Sequence, residues 1–163
     1  MTESSIKIIK ADYSDSRQAH EIAKLLNAYA TDPMGGGKEL SPGVMDTLAM
    51  ELSRLPHAFS IIAYVDDEPA GLVNCFEVFS TFQCKPVINI HDVVVLQDFR
   101  GMGLGKKLLE KVENIARERG CCKLTLEVLS GNEVAAGLYR KYGFTGYELD
   151  PDKGTAQFLQ KML

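Results

Sequence analysis

The chain has 163 residues, enough for one domain spanning 1–163 and too few for two ordinary cores. Its 45% apolar and 25% charged residues exclude a disordered or fibrous chain. A formal charge of −4 disfavours a non-specific nucleic-acid partner, which would carry a basic excess.

Ile6–Lys10 reads as an opening strand, and residues 16–30 as a helix with Ala19, Ile22, Ala23, Leu25, Leu26 and Tyr29 at helical spacing. Gly35-Gly36-Gly37 cannot stay in a helix cheaply, so 31–40 is expected to be a mobile loop. Ser41-Pro42 is a helix start, and Pro56 ends the second helix. Residues 59–65 and 70–82 are β-rich runs joined by Asp66-Asp67-Glu68-Pro69, which predicts a hairpin. A long apolar strand follows over 86–96. A third helix carries Leu104, Leu108, Leu109, Val112, Ile115 and Ala116 and stops at Arg119-Gly120. Residues 124–129 form a strand, and Gly131-Asn132 opens a short helix that Gly143 breaks. Two closing strands are expected at 144–149 and 155–162. The order is β-α-α-β-β-β-α-β-α-β-β, a mixed α/β sheet with antiparallel pairing early and a parallel pair late.

Cys75, Cys84, Cys121 and Cys122 contain no CxxC pair, so neither a disulfide framework nor a zinc knuckle is expected. No His/Cys/Asp/Glu group has metal-ligand spacing, and no metal is expected. No apolar run approaches the roughly 20 residues that span a bilayer, and Met1-Thr2-Glu3-Ser4-Ser5 lacks the apolar stretch of a secretory signal. The expectation is a cytoplasmic protein with no membrane partner.

The strongest local signal runs from Val93, Val94 and Val95 through Arg100, Gly101, Met102, Gly103, Leu104, Gly105 and Lys106. A buried strand enters a loop with three glycines at alternate positions, and the loop opens into an amphipathic helix. Such a loop turns backbone N–H groups toward one point, and the helix N-terminus adds about half a positive charge. Together they make an anion site suited to a pyrophosphate, with Arg100, Lys106 and Lys107 around it. A P-loop would need glycine at 100 and Ser/Thr at 107, where Arg100 and Lys107 stand; a dinucleotide fingerprint would need glycine at 106, where Lys106 stands.

Arg-Gly-x-Gly-x-Gly five residues after Val95 resembles the acetyl-CoA loop of the GNAT acyltransferase superfamily. A second block, Asn132-x-x-Ala135-x-x-x-Tyr139 followed by Tyr142-Gly143-Phe144, is similar to that family's next motif. The resemblance implies a GNAT-like acyl-CoA N-acyltransferase fold and acetyl-CoA as cosubstrate. It implies that Val93, Val94 and Val95 hold the pantetheine arm by backbone bonds, that Asn132 and Ala135 support that arm, and that Tyr139 points its hydroxyl at the CoA sulfur as general acid. The acceptor would be a primary amine of a small molecule or a peptide, attacked directly in a ternary complex. Many such proteins are homodimers, and 87–90 or the closing strand are candidate contacts. A CoA-binding sensor module without turnover is the alternative; a nucleotide-binding regulatory domain is a further rival.

Attack by an amine needs a base, an oxyanion donor and a stabilised leaving thiolate. His91 and Asp92 interrupt an apolar strand and are the base candidates, since buried charge is costly unless paired or used. Alternation predicts that they point to opposite faces, so only one reaches a given pocket. The family's acidic pair in this region corresponds to His91-Asp92 here, and the base can be either; Glu77 and Glu127 are fallbacks. The N–H of Val95 is the most economical oxyanion donor. Residues 1–95 carry 7 basic and 13 acidic side chains, against 11 and 9 in 96–163. That split suits a cationic acceptor on the first half and a polyanion on the second.

Overall fold

The structure, a computed structural model, describes residues 3–147 and 150–163. Strand β1 (Ile6–Lys10) leads to helix α1 (Ser16–Thr31), a 3-10 turn (Pro33–Gly35) and helix α2 (Pro42–Ser53). Strands β2 (Ala58–Val65), β3 (Glu68–Ser80) and β4 (Lys85–Val95) follow as a meander. After a 3-10 turn (Gln97–Phe99) come helix α3 (Leu104–Glu118), strand β5 (Lys123–Leu126) and helix α4 (Glu133–Tyr142). The five strands lie in chain order, antiparallel from β1 to β4 and parallel between β4 and β5.

Local chemistry sets the element ends. Asp15 caps α1 by accepting from the Gln18 N–H, and Ser41 caps α2 with Pro42 in the first turn. Asp66 and Asp67 both take positive φ, the geometry that matches a two-residue turn to the twist of β2 and β3. Two cores form on the two faces of the sheet. Ile61, Val73, Ile88 and Ile90 meet Leu108, Leu109 and Val112 of α3 on one face. Ile62, Leu72 and Val94 meet Ile22 and Leu25 of α1 on the other. Each fully buried aliphatic contributes about 1.5–3 kcal/mol.

Three expectations need correction. The segment after α1 is not a bare loop but holds the 3-10 turn, in which Asp32 receives N–H bonds from Met34, Gly35 and Gly37, and Asn27 receives one from Leu40. Residues 87–90 are enclosed between β3 and β5, so they offer no edge to a second chain. The closing strands are not formed at 144–147 or 155–163; Glu148 and Leu149 lie outside the described residues. The tail pairs its apolar residues as neighbours, Phe158-Leu159 and Met162-Leu163, so neither face of a strand would be apolar, and all four are exposed. A groove of about 1300 Å³ runs along β5, lined by Cys121, Leu124, Leu126, Tyr142 and Phe144.

Candidate active site

Strands β4 and β5 pair only from Val87 to Ile90, after which β5 ends at Leu126 and β4 runs on to Val95. Leu96 donates its N–H to Ala70 of β3 at 2.9 Å. Successive N–H groups point to opposite edges of a strand, so Val95 directs its N–H away from β3, into the gap that β5 leaves. The Val95 carbonyl, on the same edge, accepts from Arg100 Nε at 3.3 Å. Val93 and Val95 pack side chains onto the α3 core and Val94 onto the α1 core. The main chain of Val93 and Val95 faces the gap, whereas that of Val94, expected to hold the same arm, is turned to Leu72 of β3 by strand alternation.

The gap opens onto the glycine loop. Gly101 and Gly103 both have positive φ, near 80° and 70°, as the turn into α3 requires. The N–H groups of Gly101, Met102, Gly103, Leu104, Gly105 and Lys106 find no acceptor among the described residues, and the next one, Lys107, bonds to Gly103 O. Six consecutive free donors at a helix N-terminus are an anion cradle. Leu104 and Met102 anchor the loop in a small core with Val65 and Ala70. Lys106 is exposed and near Glu110 at 3.7 Å, and an Arg100 nitrogen lies 3.9 Å from Asp32. Gly105 serves helix packing: a Cβ there would stand 2.7 Å from Leu138 Cδ2 of α4.

His91 and Asp92 do not face opposite ways. β4 pairs Asp92 with Asn74 and Ile90 with Cys75, so His91 is the extra residue of a β-bulge. Asp92 bonds to Asn74 on the α1 face of the sheet, and His91 sits beside it, Nδ1 3.2 Å from Asp92 Oδ2, its ring edge-on to Phe76. The alternation rule failed because a bulge inserts one residue without any compositional mark. The fallback bases separate from this pair: Glu77 is held by Arg119 at 3.0 Å, and Glu127 lies beyond the end of β5.

Asn132 caps α4 by accepting from the Ala135 N–H, and Ala135 packs on the α3 core. The cap fixes the helix that carries Tyr139, whose ring meets Phe144 edge-on and is 8% exposed. Its hydroxyl has no hydrogen-bond partner among the described residues. Burial first, and then Tyr29, push its phenol up to about 12. Tyr29 was legible only as a helix core position. The structure brings its phenol near Tyr139, and burial first, then Asp92 and Asp32, raise its titration. Among the described residues no group of three metal-ligating side chains assembles, and no helix is long and apolar enough to cross a membrane.

Residues 20–144 match the acetyltransferase (GNAT) family. The chain belongs to that family. A thialysine N-epsilon-acetyltransferase of Bos taurus is 39% identical over 65 residues, which are 40% of this chain and 38% of that protein. A putative ribosomal protein bS18-alanine N-acetyltransferase of Bacillus subtilis is 29% identical over 103 residues, 63% of this chain and 64% of the other. The match thus spans less than two thirds of these curated GNAT relatives. In fold, a ribosomal-protein-alanine N-acetyltransferase from Brucella melitensis superposes with a TM-score of 0.78 at 23% identity, over 97% of this chain and all of that one.

Proposed function

We propose that this chain is an acetyl-CoA-dependent N-acetyltransferase that passes the acetyl group to a primary amine by direct attack in a ternary complex. The observation that carries the reading is the run of six free N–H groups from Gly101 to Lys106, set beside the unpaired edge of β4. A pyrophosphate fits that cradle by charge and donor count, with Arg100 added. An extended pantetheine arm fits the strand edge, which offers main-chain donors and acceptors at Val93 and Val95. Acetyl-CoA would supply the activated acyl group as a thioester.

The chain's own residues then divide the work. The Val95 N–H points at the gap and stabilises charge developing on the thioester oxygen. His91, beside Asp92, takes the proton of the attacking amine. The C–N bond forms, the C–S bond breaks, and the sulfur leaves with its electron pair. Tyr139 donates a hydrogen bond to that thiolate. Full proton transfer from a phenol near 12 to a thiolate whose acid titrates near about 8.5 is uphill. The phenol therefore stabilises the leaving group without giving up its proton, and the thiolate is protonated from solvent. Asp92 and Asp32 make the acceptor side acidic, which suits a cationic amine. The relatives are named for the N-epsilon of thialysine and for a ribosomal-protein alanine, both amines.

The test is release of free thiol from acetyl-CoA with a panel of diamines, amino acids, aminoglycosides and short peptides. We expect saturable release with at least one class and loss of it in His91→Ala. Coenzyme A binding with no release from any acceptor would make the chain a sensor module. Absence of coenzyme A binding in calorimetry would sink the reading altogether.

A further inference from the structure

A chain of hydrogen bonds runs beneath the sheet's α1 face and ends on Asp92. Tyr13 Oη lies 2.8 Å from Ser60 Oγ, Ser60 Oγ lies 2.6 Å from Asn74 Oδ1, and Asn74 Nδ2 lies 3.0 Å from Asp92 Oδ2. Ser60 is fully buried and Asn74 is 4% exposed. A polar array this deep persists only when every group is satisfied, and here no buried side-chain polar atom among the described residues lacks a partner.

The chemistry fixes its direction. An ionised carboxylate only accepts, so Asn74 must turn its NH2 toward Asp92 and its oxygen toward Ser60. Ser60 has one proton and gives it to that oxygen. Tyr13 must then donate to Ser60. Every bond thus points toward Asp92 Oδ2, the same oxygen that His91 Nδ1 approaches at 3.2 Å. A fixed anionic oxygen at that distance favours the imidazole proton on Nδ1 and leaves Nε2 with its lone pair free. Ser60 and Asn74 face each other across β2 and β3, on the face where Ile62, Leu72 and Val94 meet α1.

We propose that Asn74 and Ser60 are positioning residues: they hold the Asp92 carboxylate against His91 Nδ1, so that Nε2 is the nitrogen ready to accept a proton. This rests on the reading of His91 as the base. The relay sets which nitrogen is basic; it touches no substrate.

The test reads the His91 tautomer directly, by two-bond and three-bond nitrogen–proton NMR on the full chain, at a pH where the ring's own nitrogen shifts show it to be neutral. In the wild-type protein the Nδ1–H form should dominate. In Asn74→Leu the population should move toward Nε2–H, with kcat reduced on the order of tenfold, part of the roughly 100- to 10,000-fold that a general base supplies, and coenzyme A affinity unchanged. A folded Asn74→Leu that keeps the wild-type tautomer overturns the proposal, as does a wild-type protein already in the Nε2–H form. If Asn74→Leu does not fold, Ser60→Ala decides by the same criterion, since it frees the Asn74 amide to rotate. Undiminished turnover in His91→Ala would remove the base assignment, and the tautomer shift would still judge the relay separately.

Discussion

Leu138 of α4 lies over Gly105 of α3 so closely that a Cβ at residue 105 would meet its Cδ2 at 2.7 Å. The third glycine of the loop therefore acts at the contact between α3 and the helix that carries Asn132 and Tyr139. Gly105→Ala gains up to about 1 kcal/mol in helix propensity but must push aside the Leu138 methyl, the flexible end of a half-buried side chain, so its Tm should stay near wild type. Gly137→Ala, within α4 where a Cβ meets nothing within 4 Å, should instead raise Tm. Thermal melts of the two variants check the contrast; equal shifts would remove the packing role.

Tyr139→Phe removes a hydroxyl that no described residue uses. Its kcat should fall by about 10- to 100-fold, roughly 1.4 to 2.8 kcal/mol of transition-state stabilisation, with coenzyme A affinity and Tm nearly unchanged. Steady-state kinetics beside calorimetry make the separation, and turnover equal to wild type rejects the hydroxyl's role.

Gly103 has φ 74° and open space where a Cβ would go, so Gly103→Ala tests backbone strain alone. Forcing an L-residue there costs about 1–2 kcal/mol, and relief by rotating the loop turns its N–H groups off the anion. Coenzyme A affinity should weaken at least tenfold. Arg100→Ala should weaken it with a marked salt dependence, which Gly103→Ala should lack. Titrations at two ionic strengths tell the two effects apart.

Alkaline stability follows from the tyrosines. Tyr13, Tyr29, Tyr64, Tyr139 and Tyr142 are all held above the ordinary phenol range, burial being the first cause in each. Below about pH 10 folded and unfolded chains bind these protons equally. Above it the unfolded chain loses them first, so stability falls by up to about 1.4 kcal/mol per pH unit for each group. The Cys75 thiol is likewise held up by burial, so urea midpoints should be level from pH 7 to about 8, begin to fall as an unfolded thiol ionises near about 8.5, and drop more steeply beyond about 10. A midpoint flat through pH 11 would contradict the burial of these phenols.

Much of this fold was written locally. Ser41-Pro42, Asp66-Asp67 and Gly143 mark chain direction through their own conformational limits, and the element order through α4 follows from them and from the apolar spacing. The glycine loop was legible because a helix start with three glycines is a departure from propensity. What escaped depended on partners. Asp32 gathers its N–H donors only once the chain has turned back on itself. The expected strand at 155–162 has apolar content, but its adjacent apolar pairs suit neither face. Tyr29 looks like any aromatic at helical spacing, because a phenol's polar end carries no periodicity. The relay through Ser60 and Asn74 joins residues 14 apart whose meeting is set by the β2–β3 register alone.

Remove His91 on paper and β4 becomes regular: Ile90 keeps the α3 side, Asp92 the α1 side, Val93 and Val94 continue in step. The imidazole is thus a passenger on a scaffold complete without it. A one-residue deletion there should yield a sound, crystallisable protein whose hydrophobic layers are undisturbed and which, if His91 is the base we propose, transfers no acetyl group.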